Sequence, residues 1–193
     1  MGLILASRSP RRVELLGRLG IDPRVEPADI DETPLVGENP IAYVERLARE
    51  KTKVAQQRWC DDIVLGADTT IDLDGEILGK PDDEADARRM LRRLSARTHR
   101  VHTGIAASWG SRREQSLVVT SLVTFHPVTD ETLEWYIGTG EWQGKAGAYA
   151  VQGLGGTLVE GVRGSLSNVI GLPLRETAQL LGLGTTPDEP VLG

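Results

Sequence analysis

Residues 1–20 read MGLILASRSPRRVELLGRLG, and the architecture of the whole chain follows from them. The apolar run Leu3–Ala6 has no room for a helix before Pro10, so it predicts a buried strand. Ser9 is a typical N-cap residue, and Pro10 suits the first helical position, where a missing N–H group costs nothing. Gly20 is a typical stop for such a helix. This stretch therefore predicts a strand that leads directly into a helix.

The first turn of this helix combines several features that suit an anion. A helix N-terminus offers free backbone N–H groups and the positive end of the helix dipole. Arg11 and Arg12 stand in this turn, where the dipole disfavours cations, and Ser7 and Ser9 precede them. A solvated basic surface is the commoner reason for arginines near a helix start. The combination of hydroxyls, turn and paired arginines nevertheless favours a phosphate site.

Composition limits the class of protein and of partner. The chain has 193 residues, of which 39% are hydrophobic and 26% charged, as in an ordinary globular protein. Its net charge of −6 argues against a nucleic-acid polymer as partner, because proteins that bind the phosphate backbone carry a basic excess. No apolar run is long enough to span a membrane, and no signal-peptide pattern is present. With Cys60 as the single cysteine, we expect a cytoplasmic protein without a disulfide and without a membrane partner.

A second helix is predicted from Pro40 to about Gln57, and its apolar stripe contains a lysine. The stripe follows alternating steps of three and four residues and consists of Ile41, Val44, Ala48, Lys51 and Ala55. A lysine on the buried side of a helix needs either a route by which its ammonium reaches water or an anionic partner. Either a snorkelling lysine or a contact with a ligand phosphate fits Lys51.

Acidic residues at two places could hold a divalent cation or activate water. Glu32 ends the acidic loop segment that begins at Asp29, although a loop acidic by chance is commoner than a metal site. Asp68 follows the short apolar strand predicted at Ile63–Gly66, a position where open α/β sheets carry their chemistry. The hairpin signal Asp74-Gly75 would return the chain so that Lys80 reaches the same edge. A purely structural ion pair between Asp68 and Lys80 is an equally good interpretation.

Residues 144–156 contain five glycines in thirteen residues. The segment is not a Walker loop, because its lysine precedes the glycines. It predicts either a tight structural turn or a base pocket, in which the amide of Gln152 could hydrogen-bond a base edge. After a further strand we expect a loop at 164–173, a helix at 174–183 and a flexible tail at 184–193.

Several segments together resemble the Maf family, the septum-formation-inhibitor-like nucleoside triphosphate pyrophosphatases. They occur in the order that the family shows: LASRSPRR at 5–12, GADT at 66–69, GKP at 79–81, KAGAY at 145–149 followed by Gln152-Gly153, and NVIGLP at 168–173. The resemblance, together with the predicted strands and helices, implies one α/β domain over residues 1–183. We expect a mixed, twisted sheet flanked by helices, two lobes around a cleft, and a homodimer by resemblance alone.

Residues at three positions favour one branch of the family. Arg11, Thr69 and Gln152 resemble the branch that acts on dTTP and UTP, whereas the 7-methyl-GTP branch is expected to differ there. The alternatives are a pyrophosphatase for 7-methyl-GTP or another modified nucleotide, and a non-catalytic nucleotide-binding regulator of cell division. Two departures from the family are visible: Ala96 replaces a usual glycine, and Leu166 replaces a frequent tyrosine.

The chemistry implied is hydrolysis of the anhydride between the α- and β-phosphates, with a small nucleotide as partner. It requires charge neutralisation on the polyphosphate and an activated water. Arg11, Arg12, Lys51 and Lys80 supply the cations, with Ser7, Ser9, Thr69 and Gln152 as further substrate contacts. Asp68 would activate water, either as general base or by holding Mg²⁺ or Mn²⁺, and Glu32 could share either role. A carboxylate beside phosphates favours the enzyme, because a pure binder gains nothing from it.

Overall fold

One mixed sheet organises the computed structural model, which describes residues 2–110 and 114–183. The strand order is β2-β1-β3-β5-β6-β7, and β4 pairs with β3 beside this path. The strands are β1 Leu3–Leu5, β2 Arg24–Val25, β3 Ile63–Leu73, β4 Glu76–Leu78, β5 Thr98–Trp109, β6 Glu114–Phe125 and β7 Val159–Arg163. The helices are α1 Pro10–Arg18, α2 Pro40–Gln56, α3 Glu84–Leu94, α4 Asp130–Gly138, α5 Leu166–Ile170 and α6 Leu174–Leu180.

The predicted α/β class with a mixed sheet flanked by helices is confirmed. Strand β1 pairs in parallel with both β2 and β3, whereas the long strands β3, β5, β6 and β7 pair antiparallel. The opening strand and helix are also as predicted: Ser9 is the N-cap, Pro10 the first helical residue, and Gly20 follows the helix with φ +74°. The side chain of Ser9 makes no capping hydrogen bond, so its hydroxyl is not used by the helix.

The prediction that Asp68 lies beyond the end of a short strand is wrong. Strand β3 continues from Ile63 to Leu73, and Asp68 lies near its middle, opposite Gly104 of β5. The apolar run ends early because Asp68 and Thr69 line a cavity, whereas the backbone stays paired with β5 as far as Asp72. Strand hydrogen bonding, which the sequence pattern does not reveal, therefore extends the element.

One edge of β3 is open at its centre. It pairs with β1 at residues 63–65 and with β4 at residues 71–73, and in the described sheet no strand pairs with that edge between them. The β3–β4 hairpin turns at Asp74-Gly75, as predicted, with both residues at positive φ. The gap between β1 and β4 gives access to the middle of β3, where Asp68 and Thr69 lie.

Two apolar clusters lie at opposite ends of the long strands and form the two lobes. One cluster joins α3 and α4 to the sheet and includes Leu91, Phe125 and Tyr136. The other joins α1 and α6 to the sheet and includes Leu16 and Leu65. Because β3 and β5 contribute residues to both clusters, the space between the lobes is bounded by continuous strands.

Helix α2 rests on the sheet through backbone contacts at two glycines. A Cβ atom added at Gly66 would lie 2.3 Å from the carbonyl oxygen of Ala48, and one added at Gly104 would lie 2.3 Å from that of Val44. The buried stripe of α2 is as predicted at Val44, Ala48, Lys51 and Ala55, whereas Ile41 is exposed. This close contact fixes the height of α2, and hence of Lys51, above β3.

The final third contains a helix where a loop was predicted. Helix α5, Leu166–Ile170, is capped by the side chain of Ser165, which accepts a hydrogen bond from the backbone of Asn168. It ends at Gly171, whose φ of +128° a residue with a side chain rarely adopts. Helix α5 has only five residues and lies between Gly164 and Gly171, so its sequence shows too little helical periodicity for a prediction. Leu166, the departure from the family's tyrosine, is exposed on this helix.

The sequence prediction of a flexible tail at 184–193 concerns residues that lie outside the described part of the chain. Across residues 2–110 and 114–183, no helix combines the length and apolar character needed to cross a lipid bilayer.

We expect Ala96→Gly to stabilise the protein by about 0.5 kcal/mol or more. Ala96 has φ +56°, in the left-handed region that costs a residue with a Cβ about 1–2 kcal/mol. Glycine relieves this strain but loses about 0.5–1 kcal/mol through the freedom of the unfolded chain. Urea unfolding measures the difference. Ala85→Gly, an exposed position in α3 with helical backbone, is the control and should destabilise; equal effects of the two variants would contradict the explanation.

Candidate active site

A cavity of about 580 Å³ opens at the gap between β1 and β4. All of the residues predicted for the site line it. They are Ser7, Ser9, Arg11, Arg12, Glu32, Lys51, Asp68, Thr69, Lys80 and Gln152. They come from the β1–α1 turn, the first turn of α1, the loop before α2, α2 itself, the middle of β3, the end of the hairpin and the glycine-rich segment.

Positive charge exceeds negative charge in the cavity. Its lining includes six cationic side chains and three acidic ones, although the whole chain has a net charge of −6. Three of these charged residues, Arg8, Asp29 and Lys145, were not predicted as site residues. Lys145 stands in the KAGAY segment, and its place before the glycines was the available signal. The position of Lys145 suits a polyphosphate, because such a ligand needs locally converging cations.

Arg12 is buried, and each of its three guanidinium nitrogens donates a hydrogen bond to a neutral group. Its side chain donates from Nε to the carbonyl oxygen of Gly171 at 2.9 Å and from the two terminal nitrogens to Ser7 Oγ at 2.7 Å and Thr69 Oγ1 at 3.2 Å. Burial acts to lower the pKa of Arg12, although the charges of Asp68 and Glu32 act to raise it. No described carboxylate forms an ion pair with it, so its charge is available to an anionic ligand.

Thr69 is held in a hydrogen-bond network behind Arg12. Its Oγ1 lies 2.9 Å from Thr103 Oγ1, which in turn donates to the carbonyl oxygen of Asn168 at 3.0 Å. The Thr69 hydroxyl therefore donates to Thr103 and accepts from Arg12. Asn168 is fully buried and donates to the carbonyl oxygen of Val101 at 3.0 Å, which fixes the network to the sheet. This role of Thr103 had no signal in the sequence.

Lys51 joins the two predicted acids. Its Nζ lies 2.6 Å from Asp68 Oδ1 and 2.6 Å from Glu32 Oε1, and its side chain is only 8% exposed. Lys51 thus has anionic partners and is not a snorkelling lysine. Lys80 Nζ lies 3.6 Å from the other oxygen of Glu32. Among the described residues, Asp68 forms its ion pair with Lys51 and not with Lys80, and Lys80 pairs with Glu32 instead. The side chains of Asp68, Lys51, Glu32 and Lys80 therefore alternate in charge along one wall.

The pKa of Glu32 is lowered by this arrangement. Partial burial acts to raise the pKa, but hydrogen bonds and charges of Lys51 and Lys80 outweigh it. On the opposite side, burial lowers the pKa of Arg11, and burial together with the charge of Arg11 lowers that of Lys145. A bound polyanion would raise the pKa values of Arg11 and Lys145 again, because it stabilises the charged form of both side chains.

The two carboxylates fit a divalent ion that arrives with its ligand. Within the described part of the chain, no group of three or more His, Cys, Asp or Glu side chains is arranged to hold a metal ion. Mg²⁺, however, commonly binds through one or two carboxylates together with substrate phosphates. Asp68 uses only Oδ1 for Lys51 and can offer Oδ2, whereas Glu32 would share its two oxygens with Lys51 and Lys80; with that sharing the two carboxylates are a donor set of that kind.

Gln152 stands on a segment tied down by one acid. The carboxylate of Glu141 accepts hydrogen bonds from the backbone N–H groups of Leu154 and Gly155, both at 2.8 Å. The glycine-rich segment forms two short 3-10 turns, Ala146–Ala148 and Leu154–Leu158. It is therefore a tight turn as well as a cavity wall, and Gln152 lies exposed between the two turns.

Comparison with known proteins identifies close sequence similarity over nearly the whole chain. A family model described as Maf-like protein matches residues 2–183. A protein from Myxococcus xanthus named dTTP/UTP pyrophosphatase is 55% identical over 179 residues, which cover 93% of this chain and 90% of that protein. One of the same name from Anaeromyxobacter dehalogenans is 53% identical over 182 residues, which cover 93% of this chain and 92% of that protein.

A solved structure shows the same fold at low sequence identity. A HAM1 protein from Coxiella burnetii aligns with a TM-score of 0.51 and 17% identity, covering 94% of this chain and 98% of that one. At this identity the similarity concerns the arrangement of strands and helices alone.

Proposed function

The chain belongs to the Maf-like protein family, and from this premise we propose that it hydrolyses dTTP and UTP to the monophosphate and pyrophosphate. Relatives that share about half of its residues are named for this activity. One observation carries the proposal: the guanidinium of Arg12, which forms no ion pair with a described carboxylate, and the Asp68–Lys51–Glu32 wall line the same cavity. An unpaired cation suits the polyphosphate, and the buried carboxylate of Asp68 suits water activation.

The residues divide into charge neutralisation and water activation. Arg12, Ser7 and Ser9 surround the start of α1 and would bind phosphate oxygens there, with Lys80 completing the neutralisation. Asp68 would accept a proton from the water that attacks the α-phosphorus, while pyrophosphate leaves. Lys51 orients the Asp68 carboxylate, because its Nζ lies 2.6 Å from Oδ1.

A divalent ion is part of the proposal. Asp68 and Glu32 would hold Mg²⁺ or Mn²⁺, which when bound neutralises phosphate charge and lowers the pKa of water. Asp68 could act as base, as metal ligand, or as both in turn.

Base selection would involve Arg11 and Gln152. Uracil and thymine present two carbonyl oxygens and one N–H group, so the donors of Arg11 and the donor–acceptor amide of Gln152 complement them. Thr69 would contribute by holding Arg12, because its hydroxyl already bonds to Arg12 and Thr103. A cytoplasmic location, where nucleoside triphosphates are abundant, and a homodimer complete the proposal.

A nucleotide panel tests the proposed activity. With Mg²⁺ or Mn²⁺, we expect dTTP and UTP to be cleaved at least about tenfold faster than ATP or 7-methyl-GTP, since a site built to hydrogen-bond one base leaves groups unpaired with another. Release of pyrophosphate, and not of phosphate, identifies the bond that is cleaved. Equal rates on ATP and dTTP would contradict the selectivity, and binding without turnover would favour a regulator.

A further inference from the structure

Glu32 belongs to a segment that has no helix or strand to hold it. We define the acidic loop as residues 29–38, which connect β2 to α2. The carboxylate of Glu32 nevertheless lies 2.6 Å from the Nζ of Lys51. Small displacements of the acidic loop would separate these two charges. Something else must therefore fix the backbone of the acidic loop at this point.

Two side chains of α2 bind the successive backbone carbonyl groups of Glu32 and Thr33. The hydroxyl of Tyr43 donates to the carbonyl oxygen of Glu32 at 2.8 Å. Arg46 donates from a terminal nitrogen to the carbonyl oxygen of Thr33 at 3.2 Å. Two adjacent carbonyl groups are thus fixed, which restricts the direction in which the Glu32 side chain leaves the backbone.

Arg46 also closes the acidic loop at its far end. Its guanidinium forms a bidentate pair with Glu38, with distances of 2.6 Å from Nε to Oε1 and 2.8 Å from the terminal nitrogen to Oε2. The Glu38 side chain is only 7% exposed and also accepts from the backbone of Leu35 at 2.9 Å. The hydrogen bonds with Glu38 raise the pKa of Arg46, and the hydrogen bonds from Arg46 lower the pKa of Glu38. A fork of this geometry is the strongest kind of side-chain clamp.

The anchors and Lys51 share one helix. Tyr43 and Arg46 are three residues apart on α2 and therefore on one face. Because α2 is seated on the sheet at Gly66 and Gly104, this helix places Lys51, and through the acidic loop Glu32, relative to Asp68.

We propose that Arg46 and Tyr43 are positioning residues, which hold the Glu32 carboxylate in the cavity wall that it forms with Lys51 and Asp68. The inference rests on the proposed function, in which Glu32 takes part in turnover. It goes beyond that function by assigning a role to two side chains that do not line the cavity. An ordinary structural clamp would change stability but would not act through Glu32.

A double-mutant cycle separates positioning from stability. The variants are Arg46→Ala, Glu32→Gln and the double variant, assayed for turnover of dTTP. Residues that orient a metal- or water-binding ligand typically contribute 10- to 100-fold, so we expect a loss of about that size from Arg46→Ala. In the Glu32→Gln background the same change should reduce turnover less than about twofold, since there is then nothing to position.

A second readout does not depend on activity. Hydrogen exchange of the amides of Thr33 and Leu35 should quicken at least about tenfold in Arg46→Ala, while amides within β3 keep their rates. Tyr43→Phe is the milder variant, which removes one hydroxyl and should lower turnover about fivefold, the scale of one hydrogen bond. Arg49→Ala is the matched control: it lies on the same helix, pairs with Glu114 and does not contact the acidic loop, so turnover should not change.

Each outcome has a distinct meaning. Losses that multiply in the double variant, or unchanged exchange in the acidic loop, would overturn the positioning role while leaving the function in place. Normal turnover of Glu32→Gln would remove both Glu32 and its positioning residues from the mechanism. Absence of turnover in the parent protein would instead contradict the proposed function itself.

Discussion

Asp68→Asn should lose turnover by about 10²-fold or more while the protein stays folded and still binds nucleotide, the scale of a lost general base. Asparagine keeps the size of the side chain and can still accept a hydrogen bond from Lys51. It cannot take a proton from water, and it is a poor ligand for a divalent ion. Because Lys51 also contacts Glu32 at 2.6 Å, its charge remains compensated and the fold should tolerate the change.

Asp72→Asn is the matched comparison for this variant. Asp72 lies on the same strand and is also buried, but it accepts from the backbone of Gly75 at 2.6 Å and lies 3.2 Å from His102 Nε2, outside the cavity. We expect it to lower thermal stability and to leave turnover of the folded protein near normal. Melting temperature, nucleotide affinity and turnover of both variants complete the comparison. Normal turnover of Asp68→Asn would remove Asp68 from the mechanism.

Gly104→Ala should destabilise the protein by about 3 kcal/mol and should also lower turnover. The new Cβ would lie 2.3 Å from the carbonyl oxygen of Val44 and 2.9 Å from the backbone nitrogen of Glu45. These are backbone atoms of a seated helix, so the overlap is removed only if α2 moves away from the sheet. Such a movement would separate Lys51 from Asp68, which belongs to β3 opposite Gly104.

Gly161→Ala is the control for that substitution. Gly161 also lies in a strand, and a Cβ there has nothing within 4 Å. Its stability, measured by denaturant unfolding, should change by no more than about 0.5 kcal/mol. If Gly104→Ala had the same stability and turnover as Gly161→Ala, the position of α2 would not depend on its close contact with Gly104.

Local signals in the sequence were sufficient for the first strand, helices α1 and α2, and the Asp74-Gly75 hairpin. Each of these elements is marked by a cap, a proline or a turn residue. Several predicted site residues stand near such a marker, for example Arg11 and Arg12 after Pro10. The length of β3 and helix α5 were not predictable, because β3 continues through pairing with β5 and α5 is too short to show a period.

The contacts between site residues were harder to predict than their identities. The acid–base pairing considered for Asp68 and Lys80 is wrong because Lys51 lies closer to Asp68, and this depends on how near α2 approaches the sheet. The clamp between Arg46 and Glu38 joins residues that have no shared pattern in the sequence. Neither the contact between Lys51 and Asp68 nor that between Arg46 and Glu38 can be predicted from the periodicity of a single helix or strand.

The contrast between an acidic chain and a basic cavity affects how a substrate arrives. A nucleoside triphosphate at long range meets the repulsion of a net charge of −6, and only near the opening does the cationic lining of the cavity dominate. Ions at 0.1 M screen interactions beyond about 10 Å, so they remove the long-range repulsion first. Contacts with the buried cations of the cavity, Arg12 and Lys51, are screened much less. Encounter with substrate therefore does not depend on low salt, as it does for enzymes that attract anions through a basic surface.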